Sequence, residues 1–88
     1  MANNLFNVNI ISPLKTLYAG RIVSLVAPAE TGYVGILANH APMVTTLGSG
    51  KIIVREGSGE SKVFTYNGKG FLEVLNNEVT LLLELGAA

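Results

Sequence analysis

Apolar residues recur at every second position along most of this chain. Phe6, Val8 and Ile10 point one way while Asn7 and Asn9 point the other, the pattern of a half-buried strand. Strand-like segments follow at Ile22 to Ala27 (apolar on both faces), Tyr33 to Leu37, Met43 to Leu47, Lys51 to Glu56, Lys62 to Tyr66, Phe71 to Leu75 and Val79 to Leu85. Pro13 and Pro28 are expected to close the first two, because proline cannot donate to a ladder. Gly48-Ser49-Gly50, Gly57-Ser58-Gly59, Asn67-Gly68 and Asn76-Asn77 separate the later ones and read as hairpin turns. About eight short strands with turn signals roughly 8–12 residues apart predict an all-β sandwich or small barrel. No helical stretch of useful length interrupts them. Leu81-Leu82-Leu83 is read as strand because Val79-Thr80 precedes it and Glu78, Thr80 and Glu84 alternate with it.

With 88 residues the chain is expected to form one domain over 1–88, hiding only roughly 60–65% of its unfolded surface. It contains no cysteine, which excludes disulfides, zinc fingers and thiol chemistry. Six basic and six acidic residues balance, and the basic ones (Lys15, Arg21, Lys51, Arg55, Lys62 and Lys69) are scattered. A nucleic-acid partner would need a basic stripe, so none is expected. Ala, Val, Ile, Leu, Met and Phe together with the ten glycines make up 50 of 88 residues, about 57%, above the usual roughly 45–50% on that count. A thin core cannot absorb all of that, so surface apolar area and a protein partner are expected in preference to an unusually dense core. The longest apolar run is far shorter than the roughly 20 residues that span a bilayer, and the start has no signal-peptide pattern. The expected compartment is the cytoplasm.

Reactive constellations are missing. There is no aspartate, so no Ser-His-Asp triad, and the single histidine, His40, stands next to a proline corner where structural or interface roles are usual. One imidazole does not make a zinc site. Glu56, Glu60, Glu73, Glu78 and Glu84 fall at strand ends or on polar faces, and no acid/base pair stands out. Gly48-Ser49-Gly50-Lys51 imitates the end of a phosphate loop, but Thr45 and Ile52 occupy positions that require glycine and Ser/Thr. No catalytic residue, metal or cofactor is expected.

The segment Gly32-Tyr33-Val34-Gly35-Ile36-Leu37-Ala38-Asn39-His40-Ala41-Pro42 has the most individual character. Gly32 and Gly35 suggest a bent strand or a close backbone approach. Pro42 stiffens the exposed corner that follows and is expected to present Met43 outward. Gly32-x-x-Gly35-Ile36 followed by His40-Ala41-Pro42 resembles the signature of the epsilon subunit of F-type ATP synthases. Ile11-Ser12-Pro13, Tyr18-Ala19-Gly20, Gly68-x-Gly70-Phe71-Leu72-Glu73-Val74 and Asn77-Glu78-Val79-Thr80-Leu81 extend the likeness from about Leu5 to Leu85.

The resemblance implies a flattened sandwich of two antiparallel sheets, about eight to ten strands, in the central stalk of a rotary motor. It implies no catalysis. Its partners would be the gamma subunit and the membrane ring, at the cytoplasmic face of an energy-coupling membrane, bacterial rather than organellar. By position, Ser12, His40, Met43 and Thr45 would lie towards gamma, and Glu30, Thr31, Gly32 and Tyr33 towards the ring. Gly32, Gly35 and Pro42 would shape the loop. Family members often carry an acidic residue at the position of Tyr33, so Glu30 becomes the nearby carboxylate here. The family usually continues into two helices that restrain ATP hydrolysis. This sequence ends at Gly86-Ala87-Ala88 and is expected to couple without that restraint. The competing reading, a module binding peptide or carbohydrate, would need an aromatic groove, yet there is no tryptophan and the six other aromatics are dispersed.

Overall fold

A computed structural model describes residues 4–84. It contains eight strands: β1 (Phe6–Ile11), β2 (Thr16–Ala29), β3 (Gly32–Ile36), β4 (Met43–Leu47), β5 (Gly50–Glu56), β6 (Ser61–Tyr66), β7 (Gly70–Leu75) and β8 (Glu78–Leu83). No helix occurs among the described residues, so the all-β expectation holds. The Leu85 end of the last expected strand and Gly86-Ala87-Ala88 lie outside them.

The strands form two layers that share β2. One layer runs β4-β7-β8-β1 and continues into the first half of β2, where Phe6 pairs with Ile22 and Ile10 with Tyr18. The other runs β3-β2-β5-β6, with Leu25 and Val26 paired to both β3 and β5. The register of β2 against β5 shifts between Ile22 and Ser24, where β2 leaves one layer for the other. Such an irregularity bends a strand and lets it turn a corner.

Alternation puts the core between the layers. Phe6, Val8, Ile10, Leu72, Val74, Val79 and Leu81 from one layer meet Leu25, Ala27, Ile36, Ile52 and Val54 from the other, with Ile22 where β2 changes layer, in one buried cluster. No polar side chain is buried among the described residues. The domain is elongated, measuring 42 × 23 × 20 Å, so its two ends can meet different neighbours.

Several sequence expectations need correction. β1 and β8 pair in parallel, Val8 with Val79 and Ile10 with Leu81, so that layer is mixed and not wholly antiparallel. Pro28 does not end β2. It is buried within it opposite Tyr33, and its carbonyl accepts the Gly48 amide at 2.8 Å. Asn67-Gly68 and Gly48-Ser49-Gly50 are not hairpins. Each carries the chain from one layer to the other, because β6 and β7 belong to different layers, as do β4 and β5. Asn76-Asn77 is a true hairpin turn, with φ of 53° and 61°, joining β7 to β8. Gly35 introduces no bend. It pairs in register with Val26, its φ lies outside the left-handed region, and a Cβ there would meet nothing within 4 Å.

Candidate functional site

Two regions follow from the expected contact residues, and the fold treats them differently. Glu30 and Thr31 are the two loop residues of the β2–β3 hairpin, closed by the Ala29–Gly32 pair. Gly32 has φ 134°, a conformation that side chains resist, which is why the turn ends on glycine. Glu30 is tied to β4 twice: its amide donates to the Thr46 carbonyl at 3.2 Å, and its Oε1 accepts the Thr46 hydroxyl at 2.9 Å. Tyr33 is 61% exposed, yet its hydroxyl accepts the Lys51 amide at 3.1 Å and so bridges to the start of β5. Glu30, Thr31, Gly32 and Tyr33 therefore form one exposed, well-anchored tip.

The two links between layers meet beside this tip. Ser49 Oγ donates to Asn67 Oδ1 at 2.9 Å and accepts the Gly68 amide at 3.0 Å. The Tyr66 hydroxyl lies between the carbonyls of Lys69 and Glu84. Burial, then the Glu84 charge, push the Tyr66 hydroxyl pKa above its usual value. Thr46, Ser49, Lys51 and Asn67 thus join the tip, and sequence reasoning missed them. Local turn chemistry named the turns but not which turns meet.

Ser12, His40, Met43 and Thr45 do not form a single cluster. His40 closes a turn by donating its amide to Leu37 O at 3.2 Å, with Asn39 at φ 66° inside it, and its Nδ1 lies 2.7 Å from Ala41 O. This corner is locked to the β7–β8 turn: the Asn39 amide donates to Asn77 Oδ1 at 2.6 Å, and Asn77 Nδ2 donates to Asn39 Oδ1 at 3.2 Å. Neither asparagine was expected to matter there, although asparagine is the side chain that best tolerates positive φ. Ser12 instead caps the β1–β2 turn, its amide on Lys15 O at 2.9 Å, beside Leu83 and Glu84. The β7–β8 hairpin separates that place from His40 by about five residues, roughly 16 Å.

Met43 also differs from expectation. It shares its side of β4 with Thr45 and buried Leu47, whereas Val44 and Thr46 face outward, so Met43 is half-buried and packs on the core. The proline corner sets where β4 begins, but strand alternation sets which way Met43 points. Pro42 itself is exposed.

Among the described residues no three potential metal ligands come together. The most perturbed side chain is Tyr18, whose hydroxyl donates to Glu56 Oε2 at 2.6 Å and whose ring lies 5.8 Å from that of Phe64. Burial first, then the hydrogen bond and charge of Glu56, push its pKa up to about 12. The pair ties β2 to the end of β5.

Comparison with known proteins agrees with this architecture. Residues 5–85 match the family described as the ATP synthase delta/epsilon chain, β-sandwich domain. The ATP synthase epsilon chain of Leptospira interrogans is 44% identical over 87 residues, covering 99% of this chain and 67% of that protein. That of Leptospira borgpetersenii is 48% identical over 81 residues, covering 92% of this chain and 62% of that protein. A chain of the Euglena gracilis mitochondrial ATP synthase superposes with a TM-score of 0.85 at 16% identity, covering 94% of this chain and 52% of that one, which speaks to the fold. The two-layer β architecture, the extent of the family match and the identity to bacterial epsilon chains lead to one conclusion: this chain belongs to the ATP synthase delta/epsilon β-sandwich family.

Proposed function

We propose that this chain is a non-catalytic subunit of the rotor stalk of a proton-translocating ATP synthase, coupling the membrane ring to gamma. The family match over residues 5–85 carries the reading. In it, the chain acts as a single domain over 1–88, held peripherally at the cytoplasmic face of a bacterial energy-coupling membrane. Glu30, Thr31, Gly32 and Tyr33 face the polar loops of the ring. Ser12, His40, Met43 and Thr45 lie towards gamma, with Met43 acting from its half-buried position to support the contact.

Torque transfer needs stiffness more than chemistry, and the tip has it. Glu30 is bonded to β4, Tyr33 to β5, and Ser49 to the β6–β7 link, so a push on the hairpin is shared by both layers. Close-packed cores of this kind deform little under load. Glu30 supplies a carboxylate for polar or basic ring residues, while Tyr33 offers a broad amphipathic contact.

The test is reconstitution. Adding this chain to an epsilon-depleted complex on inverted membrane vesicles should restore ATP-driven proton pumping. The double variant Glu30→Ala/Tyr33→Ala should still bind the catalytic head but restore less pumping. Full restoration by that variant would remove the tip from the ring contact, and no restoration by the parent chain would overturn the proposal.

A further inference from the structure

Among the asparagines of the sequence, Asn67 alone is followed by glycine. In that pairing an asparagine side chain is most open to attack by its own main chain, because no Cβ shields the next amide nitrogen and the backbone turns freely. The fold resists a bulkier residue at 68. Gly68 has φ 155°, and a Cβ there would lie 2.8 Å from the Tyr66 hydroxyl oxygen and 3.1 Å from Cζ of that ring. The Tyr66 hydroxyl is itself held by the carbonyls of Lys69 and Glu84. The step from β6 to β7 therefore keeps a vulnerable pair, with Asn67 exposed to water.

One side chain restrains both reacting groups. Ser49, reaching across from the link between β4 and β5, donates its hydroxyl to Asn67 Oδ1 at 2.9 Å and accepts the Gly68 amide at 3.0 Å. Once the Gly68 nitrogen loses its proton, the electron pair that attacks lies along the former N–H direction. In the folded chain that direction points at Ser49 Oγ. The same hydroxyl holds Asn67 by its carbonyl oxygen, so Cγ and the nitrogen meet only after these bonds part. We propose that Asn67-Gly68 is a self-modification site, a deamidating pair that Ser49 keeps closed. The inference is independent of the rotor assignment.

The chemistry needs only water and a solvent base. The base takes the Gly68 amide proton, the nitrogen forms a bond to Asn67 Cγ, and the Cγ–Nδ2 bond breaks. Nδ2 leaves as ammonia with a proton from water, and a five-membered imide remains. Water then opens the ring at either carbonyl. Cleavage at Cγ gives aspartate, and cleavage at the main-chain carbonyl gives isoaspartate, whose backbone runs through the former side chain. Isoaspartate lengthens the link by a methylene, so Ser49 can no longer hold both groups, and a new carboxylate stands beside the Glu30–Tyr33 tip.

The test incubates the purified chain at mildly alkaline pH and follows aspartate and isoaspartate at position 67 by peptide mapping and mass spectrometry. Two surface hydrogen bonds of ordinary strength together slow such a step by about tenfold. The folded parent should therefore react at least about tenfold more slowly than the same chain in urea, and folded Ser49→Ala about tenfold faster than the parent. Ser49→Thr, which keeps the hydroxyl, should stay near the parent. Amide exchange should rise at Gly68 in Ser49→Ala while Val54 and Leu72 keep their protection, showing that the opening is local. Equal rates for the folded and urea-unfolded parent would overturn the proposal without recourse to any variant. So would a folded Ser49→Ala no faster than the parent, an acceleration matched by exchange at Val54 and Leu72, or faster modification at Asn76 or Asn77 than at Asn67.

Discussion

Replacing Gly70 with alanine should be among the most damaging single-methyl changes this domain can suffer. Gly70 opens β7, buried between Leu47 of β4 and Leu83 of β8. A Cβ at that position would fall well inside van der Waals contact of the Leu82 carbonyl oxygen and 3.3 Å from Leu83 Cα. Its φ is outside the left-handed region, so the penalty is steric and not conformational. The obstructing atoms are backbone and cannot rotate away. β8 must shift where Leu83 is anchored in the core and where the Glu84 amide bonds to Lys69 O at 2.9 Å. Overpacking costs about 1–3 kcal/mol, and a weakened ladder bond about 1 more, giving a loss of about 3 kcal/mol. For a domain this small that corresponds to a Tm lower by roughly 12–24 °C. Two controls isolate the cause. Gly35→Ala, on an open strand face, should be neutral or stabilising by up to about 1 kcal/mol through the unfolded chain. Gly32→Ala, with open space but φ 134°, should lose about 1 kcal/mol or more through strain alone. Thermal and urea melts of the three variants decide the matter. A Gly70→Ala melting point within a few degrees of the parent, or a Gly35→Ala loss equal to it, would refute the reasoning.

Met43→Glu should destabilise the fold itself, by about 2 kcal/mol in urea titration, because it buries a carboxylate against the core; a loss below about 0.5 kcal/mol would return Met43 to the surface. Asn77→Gly keeps the positive φ but removes both amide bonds to Asn39, so about 1 kcal/mol should be lost, and Asn77→Ala should lose about 1 kcal/mol more. Equal urea midpoints for these two variants would show the backbone angle to be cost-free. Tyr18 has a folded pKa of about 12 against 10.0 in the unfolded chain, so the folded state holds its proton more tightly. Its contribution is complete below pH 10 and is lost as pH rises towards 12. Alkaline denaturation curves should therefore slope downward there, and Tyr18→Phe should flatten them, Tyr66 supplying part of the remainder.

Strand content was legible because alternation is a local signal: Phe6, Val8 and Ile10 are buried as their spacing predicts. Partnership between strands was not, since it is set by contacts far apart in sequence. The parallel pairing of β1 with β8 joins opposite ends of the chain and leaves no local mark. Gly-Ser-Gly and Asn-Gly announce turns, but nothing local distinguishes a hairpin from a step between layers. Gly35 drew attention by its place in an apolar run, whereas Gly70 is the glycine crowded by backbone, and only the Leu82 carbonyl opposite reveals that. The inward side of Met43 was within reach of the sequence, because it stands two and four residues from Thr45 and Leu47. Glu30, Thr31, Gly32 and Tyr33 are contiguous and so were certain to be neighbours, but Ser49, Lys51 and Asn67 reach them only through the tertiary fold.

Calorimetric titration of this chain with purified gamma subunit tests the rotor assignment most directly. The account predicts a saturable one-to-one complex with a Kd at or below about 1 μM, in keeping with a lasting interface of standard size. Absence of binding at about 100 μM, with both proteins shown to be folded, would contradict it.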